Sequence, residues 1–142
     1  MILWQQTRDP LLRRIIAVVL TFMAAALLVS CSSGSTVVKN VDSALSQVPG
    51  VVSVKTEYKN NAGVSKRITV RITASPDSVL ETVLDDSLLA FAGASDSTRG
   101  TISVSYYVFP EGDEENGIRP DAFGLGVTPT VQEIRDYASS NG

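Results

Sequence analysis

The stretch that most limits what this chain can fold into runs from Arg13 to Cys31. Two arginines precede fifteen residues, Ile15 to Val29, that are apolar except for Thr21. The run ends in Leu28-Val29-Ser30-Cys31, which holds the single cysteine of the protein. Arg8, Arg13 and Arg14 favour a cytoplasmic amino end. The run suits a signal-peptide core but falls short of the roughly 20 residues that span a bilayer. Polar residues follow Cys31 at once, which argues against an uncleaved membrane helix. Residues 1–30 are therefore set apart from the folded domain.

This run and its ending resemble the signal peptide of a bacterial lipoprotein closed by a lipobox. The pattern is a branched apolar residue, an apolar or small residue, a small residue and the cysteine. The resemblance implies cleavage between Ser30 and Cys31, diacylglycerol on the Cys31 sulfur, and often a further acyl chain such as palmitate on the new amino terminus. Two or three chains, at about 0.8 kcal/mol per buried methylene, make a stable anchor. The mature protein is then expected outside the cytoplasm, lipid-anchored to the cell membrane or to an outer membrane if the cell has one. Ser32 after the cysteine resembles outer-membrane sorting. The residues around the arginine pair fit a twin-arginine signal poorly, so general secretion is the expected route. The chain divides into a signal peptide (1–30), lipidated Cys31 with a Ser/Gly linker to Thr36, and one domain over 37–142.

Removing residues 1–30 leaves 112 of 142, enough for one modest core. Three of the twelve basic and one of the fifteen acidic residues go with them, so nine face fourteen, a net charge of −5. That balance argues against nucleic acid and against electrostatic adhesion to an anionic membrane. The chain has no histidine, which removes the commonest general base and metal ligand. With Cys31 lipidated, no thiol remains for a disulfide.

Within the domain, Val37, Val38, Val41, Ala44, Leu45 and Val48 recur at helical spacing, and Pro49-Gly50 closes that helix. Val51 to Tyr58 alternates as a strand, with Val52, Val54, Thr56 and Tyr58 on one face. Lys59 to Gly63 reads as a turn. Ser65 to Ala74 alternates again, Ile68, Val70 and Ile72 inward and Arg67 and Arg71 outward, completing a hairpin. Ser75-Pro76-Asp77 reads as a helix start. The stripe Val79, Leu80, Val83, Leu84, Leu88 and Phe91 follows, with Gly93 as its C-cap. Thr101 to Phe109 is a third strand with Ile102, Val104, Tyr106 and Val108 buried. Tyr107 and Phe109 fall on its other face, exposed as a candidate interaction surface. Pro110 to Asp121 is an acidic loop. Thr128-Pro129 or Thr130, the latter with Glu133 as its capping-box partner, starts a last short helix carrying Val131, Ile134 and Tyr137. The expected fold is a small α+β two-layer sandwich. About three antiparallel or mixed strands carry two main helices on one face, plus the C-terminal helix.

The order from Val37 to Gly93, with its Pro49-Gly50-Val51 corner, resembles the middle of a ferredoxin-like heavy-metal-associated domain. That family's metal site is a Cys-x-x-Cys pair before the first helix. Here Ser32, Ser33 and Ser35 stand near that place, so the resemblance implies a fold without its metal. The family's first strand has no room between Cys31 and Val37. A third strand without that neighbour can pair directly with the second, be covered by the tail near Ala122 to Val127, or stay open to another chain.

No motif supplies a reaction. The acids Glu111, Asp113, Glu114 and Glu115 lack calcium-loop spacing and read as a solvated turn. Asp85 and Asp86 diverge by about 100° on a helix, and Ser65 and Lys66 point to opposite faces of a strand. No catalytic residue, metal or cofactor is assigned. The leading expectation is an envelope lipoprotein that binds or scaffolds an envelope protein, or a second copy of itself through a strand edge. The alternative is a carboxylate-dependent envelope enzyme or accessory subunit acting on a glycan.

Overall fold

The computed structural model describes residues 33–61 and 65–142, with backbone only at Ser33. The expected signal peptide over 1–30, Cys31, and Ala62 and Gly63 of the expected turn lie outside the described residues. Helix α1 (Ser33–Ser46) leads into β1 (Val51–Asn61), β2 (Ser65–Ala74), α2 (Leu80–Ala94) and β3 (Ser103–Pro110). Two short 3₁₀ turns, Glu114–Asn116 and Pro120–Phe123, precede α3 (Val131–Asn141). The protein is a small α+β fold with three helices and a mixed three-stranded sheet. None of the described helices is long and apolar enough to cross a membrane.

The sheet order is β1-β2-β3. β1 and β2 pair antiparallel from Val51 opposite Ala74 to Asn61 opposite Ser65. β2 and β3 pair directly and in parallel, from Arg67 opposite Ser103 to Ala74 opposite Pro110. A parallel pair needs a crossover, and α2 supplies it. The even-numbered residues Ile68, Val70, Ile72, Val104 and Val108 are fully buried. They form one cluster with Val41 and Leu45 of α1, Leu84, Leu88 and Phe91 of α2, and Ile134 of α3. All three helices thus pack on one side of the sheet.

Several local readings change in three dimensions. Ser33 to Thr36 belong to α1 and not to a linker. Val52 is 50% exposed, because a register irregularity between Val51 and Ser53 turns it out of the core face. Lys59 to Asn61 continue β1, paired with Arg67 to Ser65 of β2, and are not part of a turn. Ser75 closes a turn rather than starting the helix: its N–H donates to Gly50 O at 2.7 Å and its carbonyl receives Ser78 N–H at 3.0 Å. Val79 is the N-cap, 61% exposed and without a side-chain capping bond. Gly93 sits inside α2, which runs on to Ser95 because Ala92 and Ser95 are still buried. The Thr130–Glu133 capping box forms with both of its bonds, 3.2 and 2.6 Å. Gly50 has φ +88°, and a Cβ there would meet Ser78 and Val83 at 3.0 Å. The corner before β1 therefore requires glycine.

The tail covers the outer edge of β3 at its two ends. Val108 and Ile118 exchange backbone bonds of 3.0 and 2.8 Å. Nearer the start of the strand, Val104 N–H donates to Pro129 O at 2.7 Å and Val131 N–H to Ile102 O at 2.9 Å. Between these contacts, Ala122 to Val127 leaves the edge as 3₁₀ turn and irregular chain, not as a strand. Arg135 of α3 donates to the Ser95 and Thr98 carbonyls, which fastens the tail to the end of α2. Tyr137 donates to Asp85 at 2.6 Å. Partial desolvation and that carboxylate push the Tyr137 hydroxyl up to about 12.

Tyr106 stands edge-on to Phe91, centroids 5.9 Å apart, and carries its hydroxyl into the core. Burial raises its pKa far above the ordinary value, and the nearby Ser87 hydroxyl offsets only part of this. Ser87 gives its own proton to Leu84 O at 2.8 Å, and Tyr106 Oη has no partner of good geometry among the described residues. Two substitutions should therefore move stability in opposite directions. Leu84→Ala empties a fully buried site in α2 and should cost about 2–5 kcal/mol, lowering the thermal midpoint by roughly 8 °C or more. Tyr106→Phe removes a sealed, unpaired hydroxyl whose burial costs about 1–3 kcal/mol. It should hold or raise the midpoint. Thermal unfolding followed by circular dichroism checks both, and a clear loss in Tyr106→Phe would mean that the hydroxyl has a partner.

Candidate functional site

The parity that buries the even positions of β2 and β3 turns the odd ones to the face that, among the described residues, carries no helix. Arg71 is the register partner of Tyr107, and Thr73 of Phe109. The two rings stack with centroids 5.5 Å apart and planes at 29°. The Arg71 guanidinium lies 5.6 Å from the Tyr107 centroid and 5.2 Å from that of Phe109. Its Nη2 also reaches Glu114 at 3.3 Å. This pair is solvent-exposed, so its value is in orienting Arg71 more than in stability. Arg119 brings a second guanidinium to Tyr107, 5.4 Å from the centroid.

The loop after β3 holds Tyr107 at its far end. The Tyr107 hydroxyl donates to the Glu114 carbonyl and accepts from Gly117 N–H at 3.0 Å. Gly117 lies so close to the ring that any Cβ would overlap it. The loop is itself fixed by Glu111 N–H to Ala74 O at 2.8 Å and by the Ile118–Val108 pair. The result is a groove of ≈ 570 Å³ whose floor is Thr69, Ser105 and Tyr107 and whose wall carries Glu115, Arg119 and Thr128. Val127, 50% exposed, adds an apolar rim. Such a groove offers a fixed aromatic plane, cations and hydroxyls for contact with another molecule.

Of the residues singled out from sequence, Tyr107 sits half-buried at the centre of this groove. Phe109 does not present itself: it is 5% exposed, with Arg71 and Tyr107 stacked on it. Its role is to support them. The acids of the loop do not converge. Glu114 turns to Arg71, and Asp113 accepts from Asn116 at 2.7 Å. Among the described residues no group of three His, Cys, Asp or Glu is placed to hold a metal ion. Arg71 and Arg119 are the members that sequence reasoning missed. The outward parity of Arg71 was visible, but its partner Tyr107 depended on the β2–β3 register. Arg119 is embedded in an acidic segment, where nothing in the sequence marks it.

No protein-family model, curated protein or solved structure matches the chain.

The Gly117 contact is testable by itself. Gly117→Ala should displace the Tyr107 ring and break its two loop hydrogen bonds. Ring resonances of Tyr107 in a two-dimensional NMR spectrum should shift while those of core Tyr106 stay. Unmoved Tyr107 signals would show that the loop does not rest on the ring.

Proposed function

We propose that this chain is a lipid-anchored lipoprotein of the bacterial cell envelope whose domain binds or scaffolds another envelope component through the open sheet face. The observation that carries the binding half is the Arg71–Tyr107–Arg119 arrangement. Its ring is held at both ends, on β3 and by its hydroxyl, before any partner arrives. Ordering these side chains on binding then costs little. Arginine and tyrosine are also the side chains that most often carry interface energy. The anchoring half rests on Arg13 to Cys31 and on the lipobox resemblance. α1 begins at Ser33, two residues after Cys31, which favours a domain held close to the membrane. The carboxylate-enzyme alternative receives no comparable support, since Glu114 is engaged by Arg71 and Asp85 by Tyr137.

We also read the topology as a ferredoxin-like unit without its first strand. In the complete unit, that strand separates two parallel neighbours. Here β2 and β3 stand next to each other and run parallel, as such a loss would leave them.

Two measurements test this function. Cys31→Ala should abolish labelling by a fatty-acid analogue and leave an uncleaved precursor; label on the mutant would remove the anchor. A photo-cross-linking residue at position 119 should trap a defined envelope component in intact cells, whereas one at exposed Glu81 on α2 should not. Equal or absent products at both positions would remove the groove as the contact surface.

A further inference from the structure

The two edges of the sheet are treated differently. β3 is covered by Ile118 and by Pro129 to Val131, but β1 is a terminal strand paired only with β2. Of the tertiary backbone bonds outside helices and strands, none reaches its outer side between Val52 and Asn61 among the described residues. An eleven-residue strand with an open edge is a template for another strand. At its middle sits Thr56, only 7% exposed on the helix side, with a sealed Oγ1 that has no hydrogen-bond partner. A native protein does not ordinarily leave such an atom unpaired. On either side of Thr56, Lys55 and Glu57 project from the opposite face, 3.2 Å apart and with exposed side chains.

We propose that a second copy of this chain adds to the β1 edge, antiparallel, about a two-fold axis at Thr56, joining the two three-stranded sheets into one. The sequence around Thr56 is self-complementary in that register; a two-fold at Tyr58 would also set Glu57 against Lys59, but it would leave Lys55 opposite Asn61. Thr56 faces Thr56 of the other copy, Lys55 faces Glu57 twice, and Val54 faces Tyr58 twice. Moving the register by two residues puts Lys55 against Lys55, or Glu57 against Glu57. Moving it by one turns the helices of the two copies to opposite faces. Opposite charges directly opposed on neighbouring strands attract, and Thr56 Oγ1, sealed in the single chain, reaches its counterpart only by turning about χ1. The contact is isologous, so it closes as a dimer and does not propagate into a fibre.

Surroundings of the edge fit the same occupant. An apolar groove of ≈ 580 Å³ runs beside β1, lined by Val38 of α1 with Thr56 and Tyr58. The second copy would bring Val54 and Thr56 to its mouth. Gly34, near the start of α1, packs on the Tyr58 ring. In the two-fold register the Tyr58 residues are offset by four positions, about 13 Å along the strands. Both copies of α1 then start close together on one face of the joined sheet. This inference depends neither on the Arg71–Tyr107 groove nor on the lipid anchor.

The test uses the full chain extracted in detergent. With Thr56→Cys, mild oxidation should give a disulfide-linked dimer, because opposed residues of antiparallel strands have Cα atoms about 4.5–5.5 Å apart, within disulfide range. Asp86→Cys on α2 should give none. In sedimentation, Lys55→Glu or Glu57→Lys should each weaken the dimer about tenfold, since two attractive cross-strand pairs become repulsive. The double exchange Lys55→Glu/Glu57→Lys should restore it. Both positions are on the exposed face, so these variants answer even if Thr56→Cys does not fold. A monomer at high concentration, or charge reversals without effect, would overturn the proposal, and the first of these would leave the edge to a strand from another protein.

Discussion

The direct parallel pairing of β2 with β3 is the constraint on which the rest of the domain depends. Parallel neighbours cannot be joined by a tight turn, so the chain must cross over the sheet between them. α2 is that crossover. Its buried residues Leu84, Leu88 and Phe91 settle on the even positions of both strands. β2 then has a partner on each side, and Ile68, Val70, Ile72 and Ala74 have no exposure at all. α1 and α3 add their apolar stripes to the same layer. The consequence is asymmetry: one face is core, and the other has no helix to cover it among the described residues.

That asymmetry makes the groove. On a half-covered sheet, aromatic side chains on the open face must find other cover. Phe109 finds it under Arg71 and Tyr107, and Tyr107 finds it in the loop that returns along β3. The loop serves two purposes. Through Ile118 it blocks one end of the β3 edge, and through Gly117 and Glu114 it holds the ring. Edge protection and site construction are thus one structural device here. Among the described residues β1 has no equivalent.

Where local signals were misread, a tertiary contact had claimed the group on which the signal relied. Ser75 has a capping side chain, but its backbone N–H is already committed to Gly50 across the corner before β1. The helix starts at Leu80, where the chain is released from that corner. Gly93 looked like a C-cap because glycine usually ends a helix. Burial of Ala92 and Ser95 holds the last turn in helical geometry past it. Val52 broke an otherwise clean alternation because the bulge shifts the pairing with β2. Alternation reports only the face to which a regular strand would turn its side chain. Phe109 shows the limit of that rule, being on the outward face and still buried.

The sequence by itself determined the class of fold, the inward sets of β2 and β3 and, apart from Val52, that of β1, the apolar stripe of α1 and, from Leu80 on, that of α2, and the pairing of Thr130 with Glu133. Each depends on spacing within a single element, where the pleat or the helical turn decides which side chains lie together. The proposed membrane address also rests on the sequence alone, since the resemblance to a lipobox lies in residues taken in order. Only the tertiary structure decided that Arg71 and Arg119 meet at Tyr107, that Glu114 is engaged by Arg71, and that β1 is the uncovered edge. Those facts depend on register between strands and on where a loop returns. Residues 71, 107 and 119 are far apart along the chain, and no local preference encodes the distance between them.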